Sequence, residues 1–110
     1  MKRHKNLERA IVLGLMLSTG IYGTAFAETM DKGLWDNNVN KVVTDGDLTI
    51  DAGSKTGIGF NGTVNVENGD LTITTTYNGI EAGYVKDATV NISANNVIIN
   101  SGENGLFSGI

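Results

Sequence analysis

The pentapeptide "GDLTI" occupies residues 46–50 and returns unchanged at 69–73, an offset of 23. A second self-similarity runs at an offset of 26. Residues 63–84 laid over 89–110 give seven identities: Thr63/Thr89, Val64/Val90, Asn65/Asn91, Ile73/Ile99, Asn78/Asn104, Gly79/Gly105 and Gly83/Gly109. Val66/Ile92, Leu71/Val97 and Ile80/Leu106 are conservative pairs in that alignment, and at the offset of 23 Val43 falls opposite Val66. The chain therefore divides into units over 40–62, 63–88 and 89–110, preceded by a cap segment over 28–39. A period in this range signals stacked copies of one supersecondary unit, because no single unit can bury its apolar face alone.

Within a unit the apolar residues alternate with polar ones. Val64 and Val66 flank Asn65, and Leu71 and Ile73 flank Thr72. A period of two is that of a half-buried strand. The strands are short and separated by turn formers: "TDGD", "ENGD", "YNG" and "ENG". A propeller blade needs about 40–45 residues, and a leucine-rich repeat needs a helix-compatible segment that these units lack. The remaining architecture is an all-β parallel β-helix of about three short coils, with two or three strands in each. Equivalent residues then lie about 4.8 Å apart along the axis. The expected inward columns are Val43/Val66/Ile92, Leu48/Leu71/Val97, Ile50/Ile73/Ile99 and Ile58/Ile80/Leu106. Thr and Asn are expected to stack outside, with Asn65/Asn91 as a ladder. Ile98 falls on the outer face with Thr49 and Thr72, and Lys41 falls in the column of Val64 and Val90. Leu34 and Trp35 are expected to cover the N-terminal end, with a ligand-stacking Trp as the lesser reading.

The first 27 residues have a different grammar. Lys2, Arg3, Lys5 and Arg9 precede an apolar run over 10–22, and Ala25-Phe26-Ala27 places small residues for a cut after Ala27. This is the layout of a helical secretory signal peptide. The 13-residue run would rise about 20 Å as a helix, short of a bilayer core of about 30 Å. Cleavage would remove both Arg and the only His. It would leave four Lys against eleven acids, a net charge of −7. Such a surface repels phosphate backbones and argues against nucleic acid as a partner. There is no Cys, so no disulfide supports the small core.

The signal "MKRHKNLERAIVLGLMLSTGIYGTAFA", followed by "GDLTIDAGSKTGIGF", "GDLTITTTYNGIEAG" and "NVIINSGENGLFSG", resembles the N-terminus of an autotransporter, a type V secreted surface protein of Gram-negative bacteria. The resemblance implies a right-handed parallel β-helical passenger, commonly an adhesin, at the outer membrane or outside the cell. It also implies further coils and a C-terminal translocator barrel downstream, since the last unit breaks off at Ile110. Its partners would be a host or cell-surface ligand and those downstream parts.

Chemistry-bearing residues are sparse. Without His or Arg after residue 27, the commonest general base and the Ser-His-Asp arrangement are missing from that region. Asp47 and Asp70 occupy equivalent positions, spaced as an acid/base pair would be. Together with Asp45 they form a weak Ca²⁺ candidate through oxygen ligands. The preferred reading is solvated turn residues, with no catalytic residue, cofactor or resident metal. The Thr72–Thr76 run invites an ice-binding reading, but Ile98 interrupts the array. Asn61 and Asn91 begin glycosylation sequons of the kind that arise by chance in an Asn/Thr-rich repeat. The expectation is a non-catalytic structural or adhesive surface protein. The alternatives are the start of a β-helical carbohydrate-active enzyme, or a strand protein that self-associates through an open edge.

Overall fold

The computed structural model describes residues 23–24 and 26–109. Among them there are only strands and turns. The strands are β1 (Gly23–Thr24), β2 (Glu28–Met30), β3 (Leu34–Val43), β4 (Leu48–Gly53), β5 (Ile58–Val66), β6 (Leu71–Thr75), β7 (Ile80–Ala82), β8 (Val90–Ser93), β9 (Val97–Ser101) and β10 (Leu106–Ser108). Every pairing is parallel. The chain is a parallel β-solenoid of about four turns, which at ~4.8 Å per rung stands roughly 19 Å tall.

Each turn contributes to three columns of strands. One is the sheet β2-β4-β6-β9. The second stacks the start of β3 on the start of β5, then β7 and β10. The third stacks β1, the end of β3, the end of β5 and β8. Both β3 and β5 pass through the corner between the second and third columns, where the register shifts between Asp36 and Val39. Gly62 makes that corner possible. Its φ is +135°, and a Cβ there would collide with the backbone of Val39 on the rung above.

The interior is built from alternation. Leu48, Leu71 and Val97 are successive partners, as are Ile50, Ile73 and Ile99. Ile58, Ile80 and Leu106 form the matching row of the second column. Val43 lies beside Val66. Val43, Leu48, Ile50, Ile58, Val64, Leu71 and Ile73 are fully enclosed. Fully burying one such side chain is worth about 1.5–3 kcal/mol.

Two expectations need correction. Ile92 does not continue the Val43/Val66 row. It pairs with Val64, while Val90 pairs with Gly62. Asn91 therefore lies beside Thr63 and Asn65 beside Ser93, and the Asn65/Asn91 ladder is not formed. The cause is loop length. Between the second and third columns, Asn61 alone links the paired residues Phe60 and Gly62, but residues 83–89 link Ala82 to Val90. Part of that excess is recovered at the next corner, where residues 94–96 do what 66–70 do one rung earlier. The slip is two residues, so each side chain keeps its face. The excursion turns on Tyr84 (φ 67°) and Asp87 (φ 57°), both in the left-handed region. It is pinned by Gly83 N–H donating to Phe60 O at 3.0 Å and by an edge-on Phe60–Tyr84 ring contact at 4.5 Å.

The second correction concerns the cap segment. Residues 28–36 pair in register as a rung of their own: Glu28 with Leu48, Met30 with Ile50, and Leu34 with Ile58. Leu34 and Met30 pack against the core. Lys41, in Val64's column, reaches Glu28 in an ion pair of 2.7 Å with both side chains largely covered. Leu34 covers the Ile58 row at the upper end, as the sequence suggests, and the same end also carries this charged pair. The signal peptide lies outside the described residues, apart from Gly23–Thr24, Phe26 and Ala27.

The two registers make different cross-links. Cα atoms of laterally paired residues fall within disulfide reach. Oxidising Thr63→Cys/Asn91→Cys should give a cross-link detected by mass spectrometry, and Thr63→Cys/Thr89→Cys should not. The reverse pattern would restore the uniform offset of 26 read from the sequence.

Candidate binding surface

The turn acids form ladders. Asp70 N–H donates to Asp47 Oδ1 at 2.9 Å, and Asn96 Nδ2 donates to Asp70 Oδ1 at 3.0 Å. Each acid therefore satisfies a polar group of the rung below it. Asn68 Nδ2 donates to the Thr44 carbonyl at 3.0 Å in the same corner. Asp45 is exposed. No group of three or more His, Cys, Asp or Glu side chains suited to a metal occurs among the described residues, so Asp45, Asp47 and Asp70 are not brought together as a ligand set. Of the two alanines placed at the cleavage point, Ala27 is exposed just before β2 and Ala25 lies outside the described residues.

A different polar cluster lies at the corner between the first and second columns. Glu81 pairs with Gly59 on one side and Phe107 on the other, in a row that also holds Trp35. Its neighbour Ile80 belongs to an inward row, so alternation places Glu81 outward. It is nevertheless only 3% exposed. The carboxylate is turned onto the corner, where Oε1 accepts from Thr56 Oγ1 at 2.9 Å and from Asn78 Nδ2 at 3.3 Å. Asn78, 2% exposed, in turn accepts at Oδ1 from the backbone N–H and Nδ2 of Asn104, at 3.3 and 3.1 Å. Hydrogen bonding of this kind is what permits a carboxylate to sit out of water. Gly59, without a side chain, leaves the row open above Glu81.

Over this corner lies a cavity of about 250 Å³ lined by Trp35, Ser54, Lys55, Thr56, Phe60 and Tyr77. Its walls are fixed from behind. Trp35 Nε1 donates to the Thr56 carbonyl. The buried Thr75 hydroxyl accepts the Tyr77 N–H at 3.0 Å and lies within donating range of the Lys55 carbonyl, joining two successive rungs of the corner. Trp35 and Tyr77 remain 44% and 39% exposed. Larger hollows run along β2 and along β3 at the upper end of the stack. Each is lined by consecutive residues of one segment, so they are the grooves beside edge strands.

Read from the sequence, Trp35 has ligand stacking as its lesser role, and nothing there marks Glu81, Phe60 or Tyr77. Their grouping becomes legible once Glu81 is set beside Gly59, because a residue without a side chain next to a long acid in one row leaves a gap to fold into.

No family model, curated relative or solved structure matches the chain.

Glu81→Ala should lower stability by about 1–3 kcal/mol in urea unfolding, since Asn78 and Thr56 lose a buried acceptor. Glu81→Gln, which keeps an oxygen there, should cost less. Equal costs for the two would mean that the carboxylate itself, and not one retained acceptor oxygen, carries the contribution.

Proposed function

We propose that this chain is a non-catalytic structural and adhesive element, exported to the surface of a Gram-negative bacterium as the opening coils of an autotransporter-like passenger. The observation that carries this reading is the continuity of the inward rows from rung to rung. Stacked rungs make a stiff short rod whose outer faces and corners present Thr, Asn, acids and aromatics to another surface. The basic start, apolar run and Ala25-Phe26-Ala27 of the sequence support export. A cut after Ala27 would remove β1, which contributes two paired residues, and would leave β2 and the rungs below it whole.

The lower end supports a second role, self-association. Val97 and Leu106 occupy rows whose previous members, Leu71 and Ile80, are 0% and 8% exposed, yet they are themselves 45% and 72% exposed. Exposed apolar residues in rows that are otherwise inward are suited to packing against another strand-bearing surface.

Expression of the full chain in a Gram-negative host should yield a product exported across the inner membrane whose first residue, by N-terminal sequencing, is Glu28. A cytoplasmic product beginning at Met1 would rule out export. Sedimentation should show association that Val97→Lys/Leu106→Lys weakens. A monomer at every concentration in the parent chain would remove the second role.

A further inference from the structure

We propose that the cavity bounded by Trp35, Lys55, Phe60 and Tyr77 binds a neutral pyranose ring, one sugar unit of a surface glycan. The proposal rests on the adhesive reading above and supplies its ligand chemistry.

Size comes first. At about 250 Å³ the cavity lies just under the usual range of roughly 300–1,000 Å³ for small-molecule sites. It is open to solvent on one side and has room for a single ring with its substituents. Lining chemistry comes second. Three of the six lining residues are aromatic and the other three, Ser54, Lys55 and Thr56, are polar. A pyranose matches that division, because its faces carry C–H bonds and its rim carries hydroxyls. The C–H faces suit the negative faces of aromatic rings, and the rim suits the Ser54 hydroxyl and the Lys55 ammonium.

Charge decides between a neutral and an acidic sugar. Lys55 is the single cationic side chain in the lining, and Glu81 lies behind Thr56 in direct hydrogen bond with it. The local charges therefore offset each other, while the chain as a whole carries −4. That field disfavours an anionic polymer. Rigidity completes the case. The indole of Trp35 is tied to the Thr56 carbonyl, and the Tyr77 turn is tied to Thr75. The indole therefore has little freedom left to lose on binding, which favours affinity.

The chain contains one Trp, which borders both this cavity and the groove along β3, so its fluorescence reports on these two hollows and the Tyr77 variants assign a change to the cavity. The full chain should be titrated with cellohexaose, maltohexaose, chitohexaose and, as an acidic counterpart, oligogalacturonate. The expected result is a saturable change in emission with at least one neutral probe, weaker or absent with oligogalacturonate. Tyr77→Ala, at a site 39% exposed, should leave the circular dichroism unchanged and weaken the apparent Kd about fivefold or more. Tyr77→Phe should retain it. No emission change with any neutral probe overturns the proposal, as does an equal response in Tyr77→Ala or tighter binding of oligogalacturonate. Those results would leave export and self-association standing, because they are read from N-terminal sequencing and sedimentation.

Discussion

Lateral backbone pairing at about 4.8 Å, with every strand parallel to the one beneath it, is the constraint on which the rest depends. It forces each residue to live next to its equivalent one turn away. An apolar residue therefore needs an apolar equivalent, which is how Leu48, Leu71 and Val97 come to share a row. A like charge in successive rungs is unfavourable, and the outer faces carry Thr and Asn where Lys or Glu would repel. With no Cys in the chain, these rows and the ladder between them are its principal stabilising elements.

The same constraint organises the corners. Backbone that turns cannot continue the strand ladder, so its polar groups need other partners. Here the side chains of the turn residues supply them across rungs. Asp47 accepts from Asp70, Asp70 from Asn96 and Asn78 from Asn104. Acids and amides at these corners thus have a structural use that competes with metal binding for the same lone pairs. Glu81 extends the device into the interior of the corner, and the fixed aromatic walls around it follow from that anchoring.

Much of this was legible in the residues. Alternation at Val64/Asn65/Val66 and Leu71/Thr72/Ile73 marked the buried faces, and all of those apolar residues are enclosed. The repeated pentapeptide fixed the pairing of β4 with β6. Two things were not legible. The identity of Thr63/Thr89 and Asn65/Asn91 favoured a uniform offset, but the Gly83–Thr89 excursion moves β8 by two residues. The segment 28–36 carries little sequence likeness to the later units, yet it pairs as a rung, because parallel hydrogen bonding asks only for an extended backbone with compatible facing.

By itself, then, the sequence determined the kind of structure: short strands, their inward and outward faces, and a period that forces stacking. Those properties are local, since they depend on neighbours along the chain. The tertiary structure alone decided the register of β8, the fourth rung and the burial of Glu81 beneath an aromatic cavity. A two-residue shift leaves the pattern of facing untouched, so alternation cannot detect it. Only the lengths of the corner loops, closing around a common axis, select one register and bring Trp35, Tyr77 and Glu81 to the same corner.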